Sequence, residues 1–467
     1  PVDPASTGTS STGAPSTGTA RTGAASTGTA STGTAGRVLS RADSARIVVA
    51  PPLPEVDDPA SRAPAAQLPG QPMTGAVVRV LLGTVRNAAA FSADVPWQVV
   101  RPGEATPVAA GGPGREWRVE LQGRMLRVVR SDGAATPYRP GALELRAAGA
   151  QGSMKHGSAP YRGSLVYHAT DSGVMVVNAV PLEAYLQGVV PREIGRERTV
   201  GEMAAVEAQA IAARSYVLIR VPQLTAGSAG SRPPSAAVFD VRATVADQVY
   251  GGVAAETALG NQAVANTRGL VLRYNGRTVN APYHSTCGGS TAEAPEVWRT
   301  RGEPYLQRVS DRIPGTNRDY CDPSPRHRWT KVLDAAVLDA AVARHLREVQ
   351  PAARGGVGPV RAVRVASRTP SGRAAVTQIE TAAGTYSLQG NEARYVLRQP
   401  GGEILNSTYF SVVGPADARG GVRLEGRGYG HGIGMCQWGA IGRARAGQGF
   451  RTILQAYFPG TTVGPAS

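Results

Sequence analysis

The stretch "GRGYGHGIGMCQWGA", residues 426–440, places glycine at 428, 430, 432 and 434. A dinucleotide site is excluded there. No G-x-G-x-x-G register fits, and too little chain follows for a βαβ unit with its acidic residue. No Lys-Ser/Thr pair follows, so this is not a phosphate loop. An extended strand would set the glycines on one face and Tyr429, His431, Ile433 and Met435 on the other. Glycine in a strand marks close approach of a ligand or of another backbone. A tight crossing of two strands accounts for the pattern equally well.

Upstream, periodicity gives an α+β reading: mixed or antiparallel sheets, a few helices and a β-rich insertion. Residues 1–72 repeat "STGTA" and bury almost nothing, which predicts a disordered tether. Residues 73–162 hold short alternating runs such as "AVVRVLL", broken by Gly and Pro, and read as a small β module. "YRGSLVYHATDSGVMVVNAV" reads as a hairpin turning at "DSG". "PLEAYLQGVV" spaces Leu182, Tyr185, Leu186 and Val189 as a helical core stripe, opened by Pro181 and stopped by Pro191. The alanine-rich 202–220 is the strongest helical pattern, with Gln209, Ala213 and Tyr216 on one face. "YNGR" predicts a second hairpin turn. Residues 163–331 and 421–467 thus read as two parts of one core. The segment 332–420 reads as a β-rich insertion with one charged helix over 333–350, and a last helix covers 437–445.

The chain has 467 residues and a formal net charge of +16. That balance favours anionic partners: nucleic acid, a membrane surface or an acidic wall polymer. No dense Lys/Arg cluster interleaved with aromatics occurs, which argues against a nucleic-acid reader. The two lysines, Lys155 and Lys331, against many arginines also fit a GC-rich genome. No run of 18 apolar residues predicts a membrane span. The chain opens on proline, as a precursor trimmed of a leader would.

Three groups are candidates for chemistry. Glu193 in "VVPREIG" stands among Val189, Val190 and Ile194, where a carboxyl's pKa rises toward that of a general acid. Glu197 and Glu202 are equally eligible, and a surface glutamate at a turn explains Glu193 as well. In "YHSTCGGST", His284 and Cys287, joined by Cys321, form a His/Cys/Cys set that fits zinc. A disulfide between Cys287 and Cys321 in an oxidising compartment, or plain buried cysteines, fits them better than zinc. Cys287 with His431 gives a third reading, a cysteine peptidase.

In this order, "NAVPLEAYLQGVVPREIG", "AVEAQAIAARSYVL", "DVRATVADQVYGG", "NTRGLVLRYNGRTVNAPYHSTCGGSTAEAPEVW" and "GRGYGHGIGMCQWGAIGRARAGQGFRTILQAYFPGT" resemble the SpoIID/LytB family of sporulation stage II protein D and amidase-enhancer-like proteins. The resemblance covers roughly 162–463, with the insertion set aside. It implies a lytic transglycosylase acting outside the cytoplasm on peptidoglycan glycan strands, preferably strands stripped of stem peptides, with no obligate cofactor. A non-catalytic, glycan-binding amidase enhancer or division scaffold, with an amidase or other wall protein as partner, is the alternative. The segment matching the family's catalytic glutamate carries Glu193. Gln209, Arg214, Tyr216, His284, Ser285, His431 and Gln437 would line a central glycan groove. Where the family pattern reads "GMSQ", this chain reads "GMCQ", with Cys436 in place of serine.

Overall fold

The computed structural model describes residues 76–149, 152–221, 238–298, 300–399, 401–416, 418 and 420–466. The tether expected over 1–72 lies outside them. The described chain is α+β. A seven-stranded sheet runs Val241–Arg242, Val77–Val85, Gly173–Pro181, Ser164–Thr170, Leu143–Ala147, Trp97–Val100 and Ala109–Gly111. The hairpin predicted at "DSG" is its centre, Ser164–Thr170 against Gly173–Pro181. Val77–Val85 pairs antiparallel with Gly173–Pro181, so this sheet continues across residue 162. A six-stranded sheet, with Ala88–Ala93 and Trp117–Gln122 inside it, faces the first across a shared core. Phe91 and Val119 come from one sheet, Trp97, Leu145, Tyr167 and Val176 from the other. Trp97 meets Phe91 and Trp117 edge-on, at 5.2 and 4.6 Å between ring centroids.

Helices cover the far end of the seven-stranded sheet. α1 is Leu182–Ile194, α2 Met203–Leu218 and α3 Ala258–Asn266. α4, Ala335–Val349, belongs to the insertion; α5, Gln437–Arg445, and α6, Phe450–Tyr457, close the chain. α2 packs against α1, α3, α5 and α6. Its alanines 205, 208, 210, 212 and 213 are all buried. Small side chains on every face let four helices approach one, which an amphipathic helix with a single apolar stripe could not do.

α1 differs from its sequence-based reading. Pro191 lies inside the helix rather than stopping it, and Pro181 is the N-cap residue. Proline in the last turn removes one helical hydrogen bond, while the turn continues to Ile194 and Gly195, at φ 102°, ends it. Glu193 is therefore a helical residue, carried by the last turn of a helix whose stripe Leu182, Tyr185, Leu186, Val189 is buried as the spacing requires.

The insertion has its own core, built from Leu338, Val342, Leu346, Ile379, Leu388 and Phe410. Strands Val360–Arg368, Ala374–Thr381 and Gly384–Gln389 form one antiparallel sheet, and Arg328–Leu333, Val422–Arg427 and Phe410–Gly414 another. α4 starts on Asp334, whose side chain accepts from the Val337 N–H. An open cleft of about 890 Å³ lies on the second sheet, between Trp329, Tyr409 and Arg427. None of the proposed groove residues lines it.

At the chain's end, Thr462–Pro465 joins the hairpin strand Leu270–Tyr274, whose turn uses Asn275 at φ 49° and Gly276 at φ 78°. The glycine stretch is not the extended strand its alternation suggests. Gly428, Gly430, Gly432 and Gly434 all have positive φ, at 73°, 110°, 87° and 70°. Single bridges, Thr286 to Tyr429 and Ala292 to Ile433, stitch it to the "HSTCGGST" loop. A short parallel pair, Tyr283–His284 beside Met435–Cys436, follows. Two of the glycines are required by contact as well. A Cβ on Gly434 would sit 2.1 Å from the Pro282 carbonyl oxygen, and one on Gly430 2.8 Å from the His284 Cβ. The bare backbone serves a loop crossing. Among the described residues no helix is long and apolar enough to cross a membrane.

Candidate functional site

Three glutamates lie at or just beyond the end of α1, and their surroundings separate them. Glu197 is exposed. Glu202 is buried but fully engaged. One oxygen accepts from the Thr199 N–H at 2.9 Å, the other from Arg445 at 2.6 and 2.9 Å, and Arg198 stands 3.7 Å away. Burial opposes its charge, yet these donors hold its carboxyl below the usual range. It closes a capping box and is not available as an acid.

Glu193 is half-buried. Its Oε1 accepts from the Val249 N–H at 2.7 Å. Burial pushes its carboxyl up to about 7, against the pull of that N–H, the Gln437 amide and the Arg192 charge. Val249 is brought there by a neighbouring contact: the Gly251 N–H donates to the Gly188 carbonyl of α1. Around Glu193, Tyr185 donates to Gln248 Oε1 at 3.0 Å, and Gln248 Nε2 donates to the Tyr283 hydroxyl at 2.8 Å. Burial raises the phenol pKa of Tyr185 and Tyr283, so both are neutral donors. Tyr216 and Tyr283 are half-buried, with ring centroids 6.4 Å apart. They offer an apolar face and a polar tip side by side. Arg220 stacks 3.4 Å over the Tyr216 ring.

The residues expected to line a groove divide. Tyr216 and Ser285 are half-buried, and the Gln437 amide helps draw the Glu193 carboxyl's pKa down. Gln209 is fully buried and accepts from Gln437 Nε2 at 3.2 Å. It orients Gln437 rather than meeting a ligand. Arg214 must be corrected: it is fully buried, paired with Glu183 at 2.7 and 2.9 Å, and donates to the Leu270 carbonyl at 3.0 Å. It ties α1 and α2 to the hairpin strand and reaches no surface. His431 is also corrected. Its Nε2–H donates to the Tyr283 carbonyl at 2.9 Å, and its Nδ1 accepts from the Ile433 N–H at 3.0 Å. Both ring nitrogens are engaged and none is left for a sugar. That tautomer follows from the partners. Burial and the charges of Arg394 and Arg373 push its pKa down to about 3 and keep it neutral. His284 is buried, and its Nδ1 faces the Ile433 carbonyl at 3.1 Å. Trp298 stacks 5.0 Å from His431.

The cysteine expectations change as well. Cys287 and Cys321 form no disulfide: their sulfurs are 3.5 Å apart, and all three cysteines are free and buried. The His284/Cys287/Cys321 set is not assembled: His284 is not among the residues whose donor atoms gather with those sulfurs. Cys287 and Cys321 gather instead with Cys436 and Asp311. The peptidase reading fails with them: Cys287 is 0% exposed and His431 has no nitrogen free for it.

Sequence reasoning missed Tyr185, Gln248, Val249 and Tyr283. Tyr185 was absorbed by the core stripe. Gln248 and Val249 lie in "DVRATVADQVYGG", conspicuous as a motif but with no residue type that announces chemistry.

A family model described as stage II sporulation protein matches residues 170–274. A second, described as a domain of unknown function, matches 313–434. Stage II sporulation protein D of Bacillus subtilis is 30% identical over 301 residues, covering 62% of this chain and 76% of that protein. The amidase enhancer of the same organism is 30% identical over 318 residues, 60% of this chain but 40% of its own length. An uncharacterised protein of Brachyspira hyodysenteriae is 29% identical over 303 residues, 65% of this chain and 72% of its own.

Proposed function

The chain belongs to the SpoIID family, and from that premise we propose that it is a lytic transglycosylase of the bacterial cell wall. It cuts peptide-denuded MurNAc–GlcNAc strands, outside the cytoplasm, to products ending in 1,6-anhydroMurNAc. The observation that carries this reading is the isolation of Glu193: a half-buried carboxyl poised near neutrality that, among the described residues, has no ion-pair partner and accepts one hydrogen bond, from the Val249 N–H. Asp247, whose charge also reaches Tyr185 and Tyr216, is engaged by Arg242.

Glycoside hydrolases use two carboxylates because water must be activated or a glycosyl-enzyme formed. One carboxyl suffices when the sugar supplies its own nucleophile. Glu193 donates its proton to the glycosidic oxygen as the C1–O bond breaks. The resulting carboxylate then takes the proton from the MurNAc 6-hydroxyl as O6 bonds to C1. The proton is returned and no water is consumed. A pKa near 7 suits both halves. Gln437, held by Gln209, orients the carboxyl, and Tyr216 and Tyr283 offer the faces against which sugar rings lie.

The relative named amidase enhancer motivates a second reading, in which the protein binds glycan and stimulates an amidase without cutting. Incubation of denuded strands with the purified protein, followed by mass spectrometry, separates the two. Anhydro-ended fragments, lost in Glu193→Gln, are the expected result. Strands bound but uncut would overturn the enzyme in favour of the enhancer.

A further inference from the structure

We propose that Cys287, Cys321, Cys436 and Asp311 are the four ligands of a closed, structural zinc site. Their donor atoms all lie within 4.8 Å of one another, and all four residues are buried. The Cys287 sulfur is 3.5 Å from the Cys321 sulfur and 3.5 Å from Asp311 Oδ2. Four ligands set tetrahedrally about zinc, with Zn–S near 2.3 Å, stand about 3.8 Å apart. A disulfide would need sulfurs about 2.05 Å apart and would use only two of the three. Buried cysteines alone can be mere packing. A carboxylate aimed among three thiols, far from solvent, is not explained that way.

The surroundings are those of ligands held in place. The N–H groups of Cys287 and Gly439 donate to the Cys436 sulfur at 3.2 and 3.3 Å. Cys436 caps the N-terminus of α5, where partial positive charge favours a thiolate. Asp311 Oδ2 accepts from the Cys321 N–H at 3.1 Å, and Oδ1 from the Tyr457 hydroxyl at 2.6 Å. Arg443 stands 3.8 Å from that carboxylate. Three thiolates and a carboxylate exceed the charge of a divalent ion by two, and the nearby Arg443 guanidinium offsets half of that excess. Such outer contacts orient ligands and tune their basicity. A donor set dominated by sulfur selects zinc over magnesium or calcium, and four protein ligands leave no open position for catalysis.

The consequence is mechanical. Cys287 and Cys436 are 149 residues apart, and Cys321 is 34 from Cys287. One ion therefore ties the "HSTCGGST" loop, the 311–321 segment and the start of α5. This ligand set excludes His284, unlike the set read from the sequence.

The test does not depend on glycan cleavage. Elemental analysis of the full chain, purified and then supplied with excess zinc, is expected to give one zinc per chain. Thiol titration should find no reactive thiols in the native protein and three after denaturation with a chelator. Replacing zinc by cobalt should give the ligand-field spectrum of a tetrahedral thiolate site. Cys436→Ser and the isosteric Asp311→Asn should each weaken metal retention at least tenfold, whereas His284→Ala keeps it. A protein that takes up no metal overturns the proposal. So does a native disulfide between any two of the cysteines, or loss of the metal in His284→Ala.

Discussion

Two polar clusters flank the short parallel pair of Tyr283–His284 and Met435–Cys436, and they treat burial in opposite ways. Around Glu193 the carboxyl is half-buried and accepts a single hydrogen bond, from a backbone N–H, so its proton can come and go near neutral pH. Around Asp311 every atom is sealed, and the carboxylate meets a phenol, a backbone N–H and a guanidinium at once. Both sites sit against the same loop crossing, yet only the first keeps a titratable group with capacity to spare. Depth therefore does not mark the chemistry here. What marks it is whether the buried group's hydrogen bonds are already complete.

The largest expected effect breaks the comparison on the open side. Glu193→Gln keeps the shape and removes the proton, so glycan cleavage should fall by about 10³-fold or more, roughly 4 kcal/mol of barrier. Circular dichroism should remain that of the wild type. In the wild type, cleavage should also decline as pH rises through about 7, because the first step needs the protonated carboxyl. Next comes the crossing itself. Gly434→Ala forces a side chain onto the Pro282 carbonyl at positive φ and should cost about 3 kcal/mol by denaturant unfolding. Arg214→Met should cost about 2–3 kcal/mol by leaving Glu183 without its partner. The specific activity of the folded fraction should stay unchanged; a selective rise in KM would return Arg214 to the substrate. A last test sharpens the contrast by pH. The folded pKa of Glu193, about 7, lies above its ordinary 4.5, so the folded state holds the extra proton and stability falls as pH rises between those values. Glu193→Gln should therefore match the wild type in thermal stability at pH 4 and exceed it by up to about 3 kcal/mol at pH 8.

Much of the frame was readable before the structure. The hairpins at "DSG" and "YNGR", the α2 pattern and the last helix all obey local rules of turn chemistry and periodicity. Pro191 misled because a proline in a final turn is tolerated, and the sequence does not show how many turns remain. The glycine stretch misled more deeply. Alternation is also the signature of a strand, and only contact with Pro282 and His284 reveals left-handed steps. At the site, Glu193 was reachable through its apolar neighbours and the family resemblance. Arg214 and His431 were chosen for their residue types, but the partners that occupy them, Glu183 and the carbonyl of Tyr283, lie far away in sequence. Gln248 was invisible for the same reason: it matters only because Tyr185 and Tyr283 converge on it.

The pairing of Val77–Val85 with Gly173–Pro181 has a practical outcome for anyone trimming this protein. The matched family segment begins at residue 170, inside the central hairpin, while the strand that covers its outer edge lies some ninety residues earlier. A fragment cut to that segment would present Gly173–Pro181, rich in valine, as a bare strand edge to every other copy in solution. Such a fragment should aggregate on expression, whereas one starting before residue 76 should not.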